Sequence, residues 1–482
     1  MLRRVLFVPF LYLGCSGPTE SPTRRNPAPP KLAFTVQPGT AQGAQPINPA
    51  VRVAIQDSAG NGMTSATDPV TVSLIAIRGA GRLAGTTSVP AASGVATFTD
   101  LSIDRPGRYL LEAKAPGMQT SQSATFAVQL TFVTITSGDS HTCGVTITGA
   151  ASCWGFNGSG RLGDDTAYVW RSPGPVAGGI SFASVSAGAD HSCGVTPGGV
   201  AYCWGANAYG QLGDGTNAMH TRPTPVSGGQ IFADVSAGAE HTCGLTTGGA
   251  VYCWGRNRYG TLGDSSITDR SAPTPVSGVL TFSAVSAGVD HTCGVTTGGA
   301  AYCWGRNLFG RLGDSTDTDR LSPTLVAGGL SFTAVTSGGF HTCGLTSSGA
   351  AYCWGSTGWG QLGDGHYGGA TNQWAPVPVS GGLSFLAVTA AAFHSCGLAT
   401  DNTVYCWGSN GFGQIGDGSG FDRLAPFPVS GALRFATLDG GWMHTCARQT
   451  DGAVYCWGYS GNGQVGSGTE STTSPVPVQV VQ

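Results

Sequence analysis

The chain has 482 residues, of which 10% are charged and 78 are glycine, and its formal net charge is −3. This balance excludes a general grip on the phosphate backbone of nucleic acids, which needs a basic excess. The length allows two or three domains, and no internal run reaches the ~18 apolar residues that span a bilayer.

The N-terminal residues have the pattern of an export signal. Arg3 and Arg4 precede a short apolar run that ends at Leu13-Gly14-Cys15, and a basic start before an apolar stretch is typical of secretion signals. This end resembles a bacterial lipoprotein box, except that Tyr12 stands where that family usually has Leu. The resemblance implies lipidation at Cys15; an ordinary signal peptide, or no signal at all, are the alternatives. We predict a signal at 1–15 and an exported protein, at the outer membrane, the cell surface or in the periplasm, that touches the membrane only through its lipid anchor.

A Pro-rich stretch and a strand-rich segment follow the signal. Residues 16–30 include five prolines, a composition that stays extended and predicts a tether. Residues 31–129 contain short alternating runs, such as Val51-Arg-Val-Ala-Ile55, separated by turn-forming residues. Such spacing predicts a two-sheet sandwich. The segments Gln56-Asp57…Gly60-Asn61, Gly94–Leu101 and Gly107-Arg-Tyr109 resemble bacterial immunoglobulin-like domains, which implies a spacer or a ligand-binding module.

From residue 130 to 482 the chain consists of seven repeats. Each repeat has a His-Thr/Ser-Cys and, ten residues after that Cys, the Cys of a Cys-Trp-Gly; the step is 50 residues, stretched once to 53. Every unit offers four short strand-like pieces divided by Gly and Pro. Four strands in a repeat of this length predict the blades of a seven-bladed β-propeller, so the chain as a whole is expected to be all-β.

The repeats closely resemble the regulator of chromosome condensation repeat family. They carry its Gly-x-x-His-Ser/Thr, Trp-Gly-x-Asn and Gly-Gln-Leu-Gly marks, the last intact at Gly210–Gly213 and Gly360–Gly363. Thr357 and Ser460 replace the Asn in units five and seven, and Arg or Thr replaces the Gln in others. The resemblance implies a propeller and a binding function. The cysteine pairs are not a general feature of that family.

The cysteines of each repeat are spaced for a disulfide. A turn lies midway between the two, as at Thr246–Gly249 between Cys243 and Cys253, so they face each other on adjacent strands, where opposed Cβ atoms are about 5 Å apart. Zinc is the weaker alternative, because no Cys-x-x-Cys occurs and one His beside two Cys lacks a fourth ligand. The predicted bridges are Cys143–Cys153, Cys193–Cys203, Cys243–Cys253, Cys293–Cys303, Cys343–Cys353, Cys396–Cys406 and Cys446–Cys456.

Most other repeated residues are expected to be structural. The seven histidines are predicted to be buried and bonded to nearby backbone, the tryptophans to wedge between blades, and the Asp after Leu-Gly to form a turn. Asp314–Asp319 faintly resembles a calcium loop but lacks its Gly and distal Glu. The sequence contains no Gly-x-Ser-x-Gly, His-Glu-x-x-His or phosphate loop. We therefore expect no enzyme, cofactor or metal.

Binding is expected where the repeat is broken, in the loop before Pro-x-Pro. Aromatic and Arg residues there are typical contact anchors. The candidates are Tyr168, Trp170, His220, Arg270, Arg320, Tyr367, Trp374 and Arg423. A second set precedes the Gly-Gln-Leu-Gly position and is assigned to packing first and binding second: Tyr209, Tyr259, Phe309, Trp359 and Phe412.

Three functions remain open. The first is a monomeric interaction protein of the cell envelope that binds an unidentified protein or a glycan. The second is an inhibitor of a secreted enzyme, since a secreted β-lactamase inhibitory protein belongs to the same family. The third is a guanine-nucleotide exchange factor, as the eukaryotic relatives are, but export and disulfides disfavour it. The ring itself is expected to close by placing the terminal segments 131–134 and 475–481 in one blade. The Pro-x-Pro segments are expected on outer strands, because a missing N–H is harmless at an edge.

Overall fold

The computed structural model describes residues 28–43, 45–78, 81–368 and 372–481. Cys15, the predicted signal and most of the predicted tether lie outside the described residues. The regular secondary structure of the described part is β-strand, apart from one short 3-10 helix at Leu308–Gly310. No helix within these ranges has the length and apolarity to cross a membrane.

The N-terminal segment forms two main sheets that share one hydrophobic core. Strands β1 to β11 are Lys31–Val36, Ala41–Gln42, Val51–Gln56, Pro69–Arg78, Leu83–Ala84, Ser88–Pro90, Val95–Phe98, Ser102–Ile103, Gly107–Lys114, Ser121–Gln122 and Phe126–Gln129. One sheet has the order β1-β3-β7 and the other β2-β11-β9-β4-β6. Residues of both, among them Val53, Phe98 and Tyr109, are buried together. The short alternating runs expected in this segment, such as 51–55, are therefore strands, while the immunoglobulin-like assignment stays a prediction.

Seven four-stranded antiparallel sheets follow, and we call them blades 1 to 7 in chain order. Each is built from four consecutive strands, named here the inner, second, third and outer strand. The inner strands are Phe132–Ser137, Ser184–Ala187, Phe232–Ala237, Phe282–Ala287, Phe332–Ser337, Phe385–Ala390 and Thr437–Gly440. The second strands are His141–Thr146, His191–Val195, His241–Thr246, His291–Thr296, His341–Thr346, His394–Ala399 and His444–Arg448. The third strands are Ala151–Gly155, Ala201–Gly205, Val251–Gly255, Ala301–Gly305, Ala351–Gly355, Val404–Gly408 and Val454–Tyr459. The outer strands are Trp170–Pro175, His220–Pro225, Arg270–Pro275, Arg320–Leu325, Gln373–Pro378, Arg423–Pro428 and Thr473–Gln479.

The centre of each blade is a hairpin whose register brings the cysteines together. The Gly of its turn has positive φ, as at Gly249 (φ 82°), and blade 6 has Asn402 there at φ 65°; Gly and Asn tolerate this region best. With the turn midway, Cys243 is paired directly with Cys253. The structure forms all seven disulfides that the spacing predicts, each within one blade.

The disulfides lie in the apolar layers between blades. In one such layer, Cys293–Cys303 and Leu312 of blade 4 pack with Phe332 and Trp354 of blade 5. All seven repeated tryptophans are fully buried in equivalent layers. The prediction that they wedge between blades is confirmed, and each disulfide also supplies apolar volume to the contact with the next blade.

The expected mode of ring closure is wrong. The segment 131–134 pairs only with the second strand of blade 1, and 475–479 only with the third strand of blade 7. No blade mixes the two ends, because the first repeat already begins at an inner strand and the last ends at an outer one. Closure instead uses lateral contacts: Trp154 and Phe132 of blade 1 pack with Val465 of blade 7, as at every other gap.

The Pro-x-Pro segments lie on the outer strands, as expected. An outer strand has a partner on one side only, so a residue without an N–H leaves no gap in the sheet there. Pro223 and Pro225 of blade 2 are examples.

Candidate functional site

Every gap between blades is spanned by a repeated set of buried hydrogen bonds. His141 Nε2 lies 2.8 Å from Ser192 Oγ of the next blade, and that hydroxyl donates to the Arg161 carbonyl at 2.9 Å. Because the hydroxyl proton is used on the carbonyl, the imidazole donates from Nε2. The other pairs are His191–Thr242, His241–Thr292, His291–Thr342, His341–Ser395, His394–Thr445 and His444–Thr142. The expected burial is confirmed, but the expected backbone partner is wrong, since the ring faces the neighbouring blade.

The same carbonyl also receives the indole of the next blade. Trp204 Nε1 donates to the Arg161 carbonyl at 2.9 Å, and equivalent bonds are made by Trp154, Trp254, Trp304, Trp407 and Trp457. The His-Ser/Thr and Trp-Gly marks of the repeat thus meet at one backbone oxygen. These residues are used by the scaffold.

Burial keeps the seven histidines neutral. It lowers the pKa from 6.5 to about 3 for His191, His341, His394 and His444 and to about 4 for His241. For His141 and His291, burial and the nearby charges of Arg161 and Arg311 lower the pKa in the same direction. Transfer of a charge into this apolar layer is unfavourable.

We call the end of the propeller that carries the inner-to-second turns and the long third-to-outer loops the loop face. In blade 1 these are residues 138–140 and 156–169. Antiparallel order places both at the same end, since His141, Gly155 and Trp170 are level in the sheet. Both sets of binding candidates lie on this face.

A buried Asn organises the long loop in blades 1 to 4 and in blade 6. In blade 3, Asn257 Oδ1 accepts the N–H of Leu262 at 3.0 Å, and its Nδ2 donates to Asp264 Oδ1 at 3.0 Å. Burial raises the pKa of Asp264, but hydrogen bonds from Ser266, Arg270 and Asn257 outweigh it and leave that pKa below its usual value. The prediction that the repeated Asp forms a turn is confirmed.

Five of the eight predicted anchors share one position, the first residue of the outer strand, and contact the repeated Asp of their own blade. The polar distances are Trp170–Asp164 2.6 Å, His220–Asp214 2.9 Å, Arg270–Asp264 2.9 Å, Arg320–Asp314 2.7 Å and Arg423–Asp417 2.8 Å. These five anchors are different residue types, but each makes the same contact within its own blade. Asp314 is thereby paired with an Arg, and among the residues described no three His, Cys, Asp or Glu side chains gather as metal ligands.

Trp170 is also covered by the N-terminal segment. The guanidinium of Arg105, which follows strand β8, lies 3.7 Å from the centre of the Trp170 ring. The indole is therefore held between Arg105 and Asp164. It joins the two folded parts of the chain, and a partner would have to displace Arg105 to reach that face of the ring.

The other three predicted anchors are exposed. Tyr168, Tyr367 and Trp374 are 73%, 59% and 46% accessible. Tyr367 and Trp374 belong to blade 5, and Tyr168 to blade 1, which is not adjacent to it in the ring. The structure therefore does not bring the eight candidates together as one patch, and their binding role stays a prediction.

A larger aromatic cluster lies closer to the channel on blades 4 to 7. The ring centres of Phe309 and Phe340 are 6.2 Å apart, Phe340 and Phe393 5.2 Å, Trp359 and Phe393 6.4 Å, and Phe393 and Trp442 5.7 Å. Only Phe309 and Trp359 were among the sequence candidates. The available signal was the residue before the repeated His, which is Asp or Glu in units two to four but Phe340 and Phe393 in units five and six.

On the other side of the loop face, the turns equivalent to those of Phe340 and Phe393 carry polar side chains. The turns of blades 2 to 4 carry Asp190, Glu240 and Asp290, which form ion pairs with Arg161, Arg256 and Arg306. Arg256 and Arg306 also lie over the rings of Tyr209 and Tyr259. These two tyrosines are thus used in packing, whereas Phe309 and Trp359 extend the aromatic cluster and Phe412 packs on Tyr459 at 5.3 Å.

The inner strands surround a central channel, whose part nearest the loop face is a cavity of about 180 Å³. Apart from Asp139, Asp439 and Trp442, its lining consists of Ser, Thr, Ala, Gly and Val. Burial raises the pKa of Asp439 to about 6, although the Ser137 N–H donates to it. Burial likewise raises the pKa of Asp139 to about 6, against the opposing charge of Arg161.

The comparisons with known proteins agree with this architecture. Two family models of the regulator of chromosome condensation (RCC1) repeat match the chain. One matches residues 132–161, 182–211, 232–261, 282–311, 332–361, 386–414 and 436–464. The other matches residues 198–245, 248–295, 298–345, 401–448 and 451–482. No curated protein sequence matches the chain.

Solved structures with the same fold come from yeast and human. Yeast RCC1 (Prp20) bound to Kap60 is 21% identical with a TM-score of 0.62, over 68% of this chain and 83% of that one. Prp20p of Saccharomyces cerevisiae alone is 21% identical with a TM-score of 0.63, over 70% and 87%. Human WBSCR16 is 21% identical with a TM-score of 0.59, over 70% and 92%.

Seven matched repeats, their seven blades and the propeller structures similar to them lead to one assignment: the chain belongs to the RCC1 repeat family.

Proposed function

We propose that this protein is an exported, lipid-anchored monomer of the cell envelope whose propeller binds a protein partner through the loop face. The Arg-Arg and apolar start with Cys15, and seven bridges of a kind that persist in oxidising compartments, support export. We further propose that it has no catalytic activity, because the repeated polar residues serve the scaffold. The N-terminal segment would then hold the propeller away from the membrane.

The aromatic cluster of blades 4 to 7 is the observation that carries the binding proposal. Four blades contribute neighbouring rings to one area, and Trp359 is 44% exposed. Contiguous exposed aromatic side chains typically mark protein interfaces and supply much of their binding energy. Scaffold needs do not explain the rings, since other blades have acidic residues at the positions of Phe340 and Phe393.

The solved relatives support the class of function without identifying the partner. Yeast RCC1 (Prp20) was solved with Kap60 bound, and the study of Prp20p concerns its binding to Gsp1p and histones. Those partners belong to those proteins. For this chain they support only the use of the propeller as a protein-binding scaffold.

The binding test is capture of a partner from the source cell's envelope, followed by affinity measurements with variants. A cluster variant carries Phe340→Asp, Phe393→Asp and Trp359→Ala, in which both Asp residues copy the chemistry of blades 2 to 4. We expect it to lose about 2 kcal/mol or more of binding energy with its thermal unfolding midpoint unchanged. Val279→Ser, at a fully exposed position on the opposite face, is the matched control.

A second variant separates the cluster from the outer loops. It carries Tyr168→Ala, Tyr367→Ala and Trp374→Ala, and leaves Trp170 in contact with Arg105. Loss of affinity in this variant alone would assign binding to the outer loops instead of the cluster. Full affinity in both variants would refute the loop face as the binding surface.

Export and anchoring have an independent test. Metabolic labelling with a palmitate analogue should tag the wild-type protein in its own cell but not the Cys15→Ser variant. Equal labelling of the two would refute the anchor. Secretion without labelling in either would leave an ordinary signal peptide.

A further inference from the structure

The channel wall contains a ring of hydrogen bonds that runs through all seven blades. In six of the seven blades a hydroxyl of the inner strand accepts a backbone N–H of the next inner strand, as Ser186 Oγ accepts from Ala237 at 3.0 Å. The acceptors in blades 1 to 6 are Thr136, Ser186, Ser236, Ser286, Thr336 and Thr389. Blade 7 has Asp439 at this position, and its Oδ2 accepts the Ser137 N–H at 2.6 Å, which completes the ring.

A carboxylate is not needed to complete that ring. Six hydroxyls make the same bond, so Ser or Thr would suffice in blade 7. Asp439 also accepts hydrogen bonds from the Gly440 N–H and from the hydroxyls of Thr136 and Thr389, the last at 3.4 Å. All of these donors are neutral and a neutral acceptor would serve them, whereas burial of a charge in a narrow channel is unfavourable.

A second carboxylate stands at the mouth of the channel on the adjoining blade. Asp139 is the residue after the Gly that follows the inner strand, where other blades have Ala189, Ala239, Val289, Gly339 and Ala392. Within the described ranges its carboxylate accepts no hydrogen bond and forms no ion pair. Arg161, the nearest cation, is engaged by Asp190 and by the Ala189 carbonyl.

The seventh residue at this level is Trp442 of blade 7. Its backbone N–H donates to the Gly138 carbonyl of blade 1 at 3.1 Å, so it lies beside the turn that carries Asp139. All three non-small side chains of the cavity therefore belong to blades 7 and 1, at the seam where the ring closes. The rest of the wall is neutral and consists of small residues.

We propose that this seam binds an organic ammonium group, with Asp439 and Asp139 as its counter-charges and Trp442 as an aromatic wall. Carboxylates in a partly desolvated cavity attract a cation more strongly than they would in water, and an indole favours an ammonium group over a neutral one. The ligand is a free alkylamine or a lysine side chain of a protein bound at the loop face. The site itself does not depend on the proposed function.

Calorimetry at pH 7.5, above the pKa of both carboxyls, tests the site with defined probes. Nα-acetyl-lysine amide and cadaverine carry the ammonium group, and Nα-acetyl-norleucine amide is the neutral counterpart of the first. We expect the amines to bind and the norleucine derivative not to bind. Asp439→Ser, which copies the other blades and should fold, and Asp139→Ala should each weaken amine binding at least tenfold. Asp317→Ala, an exposed acid outside the channel, should leave it unchanged.

The two probes distinguish the two sources. Tighter binding of the lysine derivative than of cadaverine indicates a lysine presented by a protein, and the reverse order indicates a free amine. No binding of either amine at millimolar concentration would overturn the proposal, as would equal binding by Asp139→Ala and wild type. Binding of sodium or calcium with no amine binding would also overturn it. Because no partner protein is used, failure here is distinguishable from failure of the capture experiment.

Discussion

Acid should destabilise this protein through its seven buried histidines. In the folded state their pKa values lie far below 6.5, at about 3 for four of them and about 4 for His241. Between those values and pH 6.5 the unfolded chain binds protons that the folded chain cannot, so stability falls as the pH is lowered. From pH 7 to pH 5 each histidine costs about 2 kcal/mol, and the seven together cost on the order of 10 kcal/mol.

Carboxyls whose pKa is raised by burial act in the opposite direction, and Asp139 and Asp439 have the largest shifts among them. Burial raises the pKa of Asp139 and Asp439 from 3.8 to about 6. Over the same pH interval the folded state binds more protons at these two groups than the unfolded state does. They therefore gain stability on acidification, by about 1 kcal/mol each. Seven histidines outweigh these carboxyls, and the net change is a loss.

Guanidinium unfolding at pH 7, 6 and 5, without reductant, measures the effect. The free energy of unfolding should decrease at each step, and His291→Gln should reduce the proton uptake on unfolding near pH 5.5 by about one. His366→Gln is the matched control, since that side chain is 70% exposed. A free energy that is constant between pH 7 and pH 5 would refute the account of the buried histidines.

Three further predictions concern single contacts. Replacing Cys293 and Cys303 together by Ala should cost about 3–5 kcal/mol of stability, because it removes a cross-link and leaves a cavity between blades 4 and 5; chemical denaturation checks this, and an unchanged midpoint would contradict the role of the bridge in that layer. A double-mutant cycle of Arg105→Ala and Trp170→Leu should show a coupling of about 1 kcal/mol in stability; additive effects would mean that the Arg105–Trp170 contact is not energetically significant. Asn257→Ala should cost about 2–4 kcal/mol, since it removes the acceptor of the buried Leu262 N–H and several donors to the loop of blade 3; the exposed Asn217→Ala is the control for an asparagine on an equivalent loop.

The repeat period predicted those parts of the fold that depend on local order. Two strands around a midway turn must pair in register, so Cys243 and Cys253 could be assigned to each other from the sequence alone. The Pro-x-Pro segments could be placed on outer strands for a similar reason, because only an edge tolerates the missing N–H. These predictions use one repeat and need no knowledge of its neighbours.

Contacts between repeats were less accessible to the same reasoning. His141 meets Ser192 at a separation of 51 residues, and a periodic pattern shows that equivalent residues exist without showing which faces meet. The strand at which each repeat begins was not predicted correctly, for a related reason. A period of 50 is the same wherever the repeat is cut, so it does not reveal whether the two ends share a blade.

A sevenfold repeat allows each residue to be compared with its equivalents in six other blades. A residue that differs from its equivalents is not for that reason alone a functional residue. His220 and Arg270 are different residue types with the same structural role, since each contacts the repeated Asp of its own blade. Asp439 also makes the bond that six hydroxyls make, yet it brings a charge that this bond does not require. Phe340 and Phe393 replace acids that other blades pair with Arg, and they pack with one another instead. We therefore propose binding residues at those positions where the departing side chain adds chemistry that the equivalent positions do without.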